Sequence, residues 1–167
     1  MKNTESSAVE HPFVQGLKPE NRRLAAQGAT RKKFSPGEIL FREGEPANRC
    51  FLIETGKVLL ETRTPDHQSI KLEIVHDGDV VGWSWLFQPF CWHFQAEAIE
   101  PTTAIVLDGG HLLVTSEENH DFGYDLMSRV TQLLIHRLQS VRQCLVESQG
   151  ISLKASNQLS EPSPATA

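Results

Sequence analysis

Between Lys33 and Val106 the chain is a succession of short apolar or alternating runs, each interrupted by glycine or proline. Both residue types favour turns, because glycine accepts backbone angles that other residues resist and proline fixes one backbone dihedral. Six or more short strands at this spacing predict an antiparallel sandwich or barrel. The interruptions lie at Ser35-Pro36-Gly37, Gly44-Glu45-Pro46, Thr55-Gly56, Pro65-Asp66, Asp77-Gly78 and Pro101.

The stretch Gly78–Ala98 contains all the tryptophans of the chain. From Phe90 to Ala98 apolar and polar residues alternate, which predicts a strand with one apolar face. Gly82 and the glycine that opens the stretch predict a hinged loop before that strand. This aromatic cluster is either a plug in a small β core or a ligand pocket. The tryptophans fall within ten residues of each other, at Trp83, Trp85 and Trp92.

Helical patterns flank the predicted strands. Residues 1–10 are polar and are predicted to be disordered. Residues 11–28 predict a short helical lead-in, since Pro19 suits a first helical turn and Gly28 ends it. After Asp108 the pattern turns helical again, beginning with a short helix from Gly109 to Thr115.

A longer helix is predicted for residues 121–149, because this segment lacks proline and, after Gly123, glycine. Such a helix would be about 43 Å long, longer than a domain of this size can cover. Apolar residues repeat along it at spacings of three and four, which is typical of a dimer seam. The alternative is a helix packed along its own domain. Residues 150–167 are rich in serine and proline and are predicted to be disordered. The predicted dimer interface consists of Leu134, Leu138, Val141 and Leu145.

Length and charge restrict the class of protein. A chain of 167 residues with 39% hydrophobic residues suffices for one domain and an appendage. The formal net charge of −5 argues against a nucleic-acid surface, which needs clustered lysine and arginine. The three cysteines are far apart in sequence and form no metal-binding or redox pair. The sequence therefore predicts a cytoplasmic protein that binds neither DNA nor membrane.

Three motifs resemble the cyclic-nucleotide-binding domain of the catabolite-activator (Crp/Fnr) superfamily. The resemblance implies an eight-stranded antiparallel jelly roll with flanking helices over residues 11–120. It also implies that the helix over residues 121–149 pairs with its twin in a homodimer. The motifs are Phe34-x-x-Gly37-x-x-Leu40-x-x-x-Gly44, then Phe51-Leu52-Ile53-x-x-Gly56-x-Val58, and finally Gly78-Asp79-Val80-Val81-Gly82.

The same resemblance implies a phosphate-binding cassette, in which G-E-L-A is followed six residues on by R-A-A. The family's glutamate binds the ribose hydroxyl and its arginine binds the cyclic phosphate. Here Gly82 keeps the glycine, but the glutamate position falls on Trp83 and the arginine position on Trp92. Arg63 and Arg129 lie outside the cassette, and we expect no helix-turn-helix module in the polar residues 150–167. The degenerate cassette implied by the alignment comprises Gly82, Trp83, Ser84, Trp85, Leu86, Trp92 and His93.

These observations favour a non-catalytic sensor or adaptor that takes an unidentified small ligand or a partner protein, and that does not bind cAMP or cGMP in the usual way. One alternative is a genuine cyclic-nucleotide receptor with an atypical pocket. Another is a haem or redox sensor, for which His76, His93, Cys91 and Cys50 are the candidate ligands. A cupin-like enzyme is disfavoured because the sequence has no H-x-H pair. We therefore predict no catalytic residues, no metal site and no cofactor.

Overall fold

The computed structural model of the chain describes residues 3–66 and 68–148. Three short helices precede eight strands, and two helices follow them. The helices are α1 (Thr4–Glu10), α2 (Pro12–Gln15), α3 (Pro19–Ala26), α4 (Gly109–Glu118) and α5 (His120–Ser148). The strands are β1 (Thr30–Phe34), β2 (Ile39–Phe41), β3 (Arg49–Thr55), β4 (Val58–Arg63), β5 (Ser69–Val75), β6 (Val80–Val81), β7 (Gln95–Ala98) and β8 (Thr102–Asp108).

The strands form two four-stranded sheets, with the orders β1-β8-β3-β6 and β2-β7-β4-β5. Every neighbouring pair in these sheets is antiparallel. In β3 the consecutive residues Phe51, Leu52 and Ile53 are all buried, so both faces of this strand are covered. The arrangement confirms the predicted eight-stranded antiparallel jelly roll followed by a long C-terminal helix.

The prediction of a disordered N-terminus is wrong for residues 4–10, which form α1. Ala8 is completely buried. Glu5 accepts a hydrogen bond from the Gly28 amide at 2.9 Å, and Ser7 Oγ lies 2.9 Å from Arg31 Nη2. The polar residues that suggested fraying therefore hold this helix to the end of α3 and to β1.

The predicted strand from Phe90 to Ala98 is also too long, because β7 comprises only Gln95–Ala98. Phe90 has a φ of 56°, a left-handed conformation that a regular strand does not contain. Its carbonyl accepts a hydrogen bond from the Ala47 amide at 2.7 Å. The residues before β7 are thus an irregular segment paired with the loop between β2 and β3.

Helix α5 begins in the same compact unit as the two sheets, which extends to residue 130. Phe122, Leu126 and Val130 repeat every four residues and are buried in this unit. Asp125 fixes the helix further, since its carboxylate accepts hydrogen bonds from the Lys18 amide at 2.8 Å and from Asn21 Nδ2 at 2.7 Å. These contacts join the first third of α5 to the start of α3.

Residues 131–148 lie in a second unit and are helical throughout. The predicted disordered tail, residues 150–167, lies outside the described residues. In the part of the chain that the structure describes, no helix combines the length and the apolar character that crossing a membrane requires.

Candidate functional site

Gly82 directly follows β6 and is the first residue of the cassette. Its φ of +86° is a conformation that residues with a side chain rarely adopt. A Cβ atom at this position would lie 2.9 Å from the Arg49 carbonyl oxygen and 3.0 Å from two ring carbons of Trp92. Glycine is therefore required here both by the backbone conformation and by the closeness of the Trp92 indole.

Trp92, at the position implied for the family's arginine, is a core residue with 4% exposure. Its ring stacks on Phe41 with a centroid distance of 4.0 Å and an interplanar angle of 20°. Its amide donates to the Glu45 carbonyl at 2.9 Å, and its carbonyl accepts from the Gly44 amide at 2.8 Å. Side chain and backbone of Trp92 are thus both fixed by one segment, the end of β2 and the loop after it.

Trp85 fixes the turn that follows Gly82, a short 3-10 helix over Ser84–Leu86. The indole is 4% exposed, and its Nε1–H donates to the Gly82 carbonyl at 2.8 Å. Gly109 at the start of α4 packs against this ring so closely that a Cβ atom there would lie 2.5 Å from Trp85 Cγ. Trp85 therefore joins the cassette to α4 by direct packing.

The third tryptophan, Trp83, stands at the position implied for the family's glutamate and is only half-buried. Its ring meets that of Phe94 edge to face at a centroid distance of 6.3 Å. His93 is exposed, and its Nδ1 lies 3.2 Å from Oγ of the buried Ser84 in a hydrogen bond whose direction depends on the histidine tautomer. Leu86 is half-buried. The cassette residues are therefore brought together, and Trp83, Leu86 and His93 are its accessible members.

A polar network that periodicity did not indicate lies at the start of β7. The alternation predicts an outward-facing Gln95, yet this side chain is buried. Its Nε2 donates to Glu61 Oε1 at 2.9 Å, and Arg42 Nη1 lies 3.5 Å from its Oε1. Arg42 comes from outside the cassette in sequence and follows Phe41, the residue on which Trp92 stacks. Its guanidinium is therefore a cationic group beside the start of β7, the strand that follows the cassette, and the family motifs did not indicate it.

A small cavity of about 180 Å³ lies between the cassette and α4. Trp85, Phe90 and Leu113 line it together with Gly109 and Gly110. Phe90 remains 39% exposed. The aromatic cluster is therefore largely filled, because two of its three indoles are buried, and the space left beside it has the size of one aromatic ring.

The predicted interface residues of α5 differ in exposure. Leu138, Val141 and Leu145 are 70%, 50% and 59% exposed, whereas Leu134 is half-buried. Two further apolar residues, Tyr124 at 74% and Met127 at 39% exposure, continue the same spacing of three and four towards the start of the helix. Both lie outside the predicted interface, which begins at Leu134. Extending the spacing backward along the sequence would have found both.

Comparison with protein families gives a match between residues 31–119, slightly more than half of the chain, and the cyclic nucleotide-binding domain. A CRP-like cAMP-activated global transcriptional regulator of Mycobacterium tuberculosis is 30% identical over 96 residues. The matched part is 58% of this chain and 43% of that regulator, so the chain spans less than half the length of this curated relative.

Two solved structures have similar folds. A protein of Geobacter metallireducens, described as cyclic nucleotide-binding, is 27% identical with a TM-score of 0.70, over 83% of this chain and 99% of that one. A cyclic nucleotide-binding domain of Methylobacillus flagellatus has a TM-score of 0.76 over 93% of this chain and 90% of its own. At 19% identity, the second likeness concerns the fold alone.

Proposed function

This chain belongs to the cyclic nucleotide-binding domain family, and from that premise we propose that it is a non-catalytic regulatory module whose cassette does not bind cAMP or cGMP in the usual way. The observation that carries the proposal is Trp92. It stands where the family's phosphate-binding arginine is implied, and it is buried against Phe41. An indole provides one N–H donor and no positive charge, so it cannot replace a guanidinium fork.

The missing polar contacts determine how much affinity for a cyclic nucleotide is lost. A hydrogen bond to a charged group contributes about 1.5–3 kcal/mol, and the cassette lacks two of them, at Trp83 and Trp92. The loss of about 3–6 kcal/mol corresponds to roughly 10² to 10⁴ in affinity, which turns a micromolar ligand into a millimolar one. The closeness of the Trp92 ring to Gly82 adds a steric cost, since a phosphate at the Gly82 backbone would have to displace it.

The second part of the proposal is a homodimer through α5. Leu138, Val141 and Leu145 expose at least half of their surface, and Tyr124 and Met127 continue the same sequence spacing earlier in the helix. Exposed apolar residues at this spacing are unfavourable in water, and pairing with a second copy would bury them. Regulation would then act through a dimer whose cassettes respond to an unidentified small ligand or to a partner protein.

Isothermal titration with cAMP and with cGMP, each at up to about 1 mM, tests the cassette, because the expected affinity is weaker than about 10 µM. The same titration is carried out on the double variant Trp83→Glu/Trp92→Arg, which restores the family's glutamate and arginine. Trp83→Phe/Trp92→Phe is its matched control and restores neither. We expect the first double variant alone to gain affinity. Wild-type binding tighter than about 10 µM would overturn the cassette alignment and the proposal with it.

A further inference from the structure

His11 is a buried histidine at the start of α2, with 6% exposure. Its Nδ1 accepts a hydrogen bond from the Phe13 amide at 3.2 Å and so caps the helix. Its Nε2 lies 3.2 Å from the Ile53 carbonyl in β3. Only the neutral tautomer with the proton on Nε2 satisfies both contacts, because Nδ1 must accept while Nε2 donates. The two contacts together hold the beginning of α2 against β3.

The carbonyls of the same helix are held from the other side by Arg129 of α5. Arg129 Nε donates to the Phe13 carbonyl at 3.0 Å, and Nη2 donates to the Pro12 carbonyl at 3.1 Å. The guanidinium also lies 5.7 Å from the centre of the Phe13 ring. Gly16 makes room for it, because a Cβ atom there would collide with the Arg129 side chain. The segment 11–16 therefore connects β3, through His11, with α5, through Arg129.

Protonation of His11 is incompatible with the hydrogen bond from Phe13, whereas Nε2 of the charged ring still donates to the Ile53 carbonyl. A proton on Nδ1 would face the Phe13 N–H, so two donors would stand 3.2 Å apart and the helix would lose its cap. The charged groups that face the ring are Glu54 of β3 and Asp79 before β6, which favour the imidazolium, and Arg129, which opposes it. Burial of the ring is the largest influence, and it outweighs both the hydrogen bond to the Ile53 carbonyl and the two carboxylates, so the pKa of His11 lies below its ordinary value of 6.5.

We propose that the segment 11–16 is a pH-sensitive joint, which ties β3 to α5 while His11 is neutral and releases this tie when His11 is protonated. The contact with α5 weakens because the Pro12 and Phe13 carbonyls, which accept the hydrogen bonds from Arg129, lie in the helix that loses its cap. This joint involves the first part of α5, the helix of the proposed dimer. All its contacts lie within residues 11–130 of one chain, so it depends neither on the cassette nor on dimerisation.

Nuclear magnetic resonance of the full chain tests the joint in a titration from about pH 8 to pH 5, the range in which a histidine changes charge. Three signals are followed: the His11 imidazole, the Phe13 amide and the Arg129 Nε–H. We expect His11 to titrate below 6.5 and the other two signals to move with the same midpoint. His11→Asn should abolish that movement, because its side-chain oxygen still caps the helix but does not titrate. His136→Asn, at an exposed histidine of α5, should leave it unchanged.

The proposal is refuted if His11 titrates at 6.5 or above, or if Phe13 and Arg129 do not move with it. It is equally refuted if His11→Asn shows the same transition as the wild type. Should His11→Asn fail to fold, the wild-type titration decides by itself, since a shared midpoint of the three signals is expected from the joint and from no independent titration of surface histidines.

Discussion

Replacing Leu138 should weaken the proposed dimer by a predictable amount. Burying a leucine side chain completely contributes about 1.5–3 kcal/mol, and Leu138 exposes 70% of its surface in the single chain. A dimer contact that covers it would therefore contribute about 1–2 kcal/mol per copy, or about 2–4 kcal/mol for both. Leu138→Ala should raise the dissociation constant roughly 30- to 1000-fold. Leu138→Glu should give a monomer, because it would bury an unpaired charge on each side.

Sedimentation velocity over a concentration series measures both variants. Gln139→Ala is the matched control, since Gln139 is the next residue along the helix, is exposed and lies outside the seam. The control should associate like the wild type. A wild-type chain that is monomeric at tens of micromolar would refute the reasoning, as would equal weakening by Gln139→Ala and Leu138→Ala.

Four further outcomes are expected. Trp92→Ala should lower the free energy of unfolding by about 3–5 kcal/mol, measured by urea denaturation followed by circular dichroism. Trp83→Ala should lower it less, because Trp83 is only half-buried. Equal losses in the two variants would contradict the packing described for Trp92. Gly82→Ala should lower the free energy of unfolding more than Gly78→Ala. Both glycines have a positive φ, so both variants share a backbone cost of about 1–2 kcal/mol. Only at Gly82 does the new Cβ atom also clash, since at Gly78 it meets nothing closer than 3.5 Å. For the pH dependence of stability, the lowered pKa of His11 means that the unfolded chain takes up a proton first, so the free energy of unfolding should fall as the pH drops below 6.5. The decrease in the free energy of unfolding should be smaller in His11→Asn. If the variant and the wild type had the same pH profile, His11 would not be the group responsible. In gel-shift assays at low salt the isolated chain should show only weak, non-specific association with DNA, and a sequence-selective shift would contradict the argument from its acidic balance.

The sequence was most informative where structure is encoded locally. Gly37, Gly44, Gly56 and Gly78, which were expected to interrupt the strands, all have positive φ angles. The need for such an angle is a property of one residue and its neighbours, so composition reveals it. The strand order, and with it the jelly roll, follows from long-range pairing, and it was predictable only through the resemblance of the motifs to a known family.

Periodicity failed where distant segments decide the conformation. Alternation between Phe90 and Ala98 fits a strand, but Ala47 hydrogen-bonds to the Phe90 carbonyl and the backbone turns there. Likewise, no local pattern indicates that Trp92 stacks on Phe41, fifty-one positions earlier in the sequence. The strand β6 has only two residues, too few for any repeat to be seen. The residues of the cassette therefore stay a prediction from the sequence, and the burial of each of them could not be predicted from it.

The confinement of all three tryptophans to the cassette makes the protein its own optical probe. Its indole fluorescence arises wholly from Trp83, Trp85 and Trp92. Two of these rings are enclosed, so their emission is shielded from water, whereas the half-buried Trp83 is the most accessible of the three to a dissolved quencher. A molecule that covers Trp83 would reduce the quenching of its emission, and displacement of Trp92 from Phe41 would move the emission towards longer wavelengths. Candidate ligands can thus be screened on the unlabelled chain, with the two kinds of spectral change distinguishing a molecule that rests on the cassette from one that opens it.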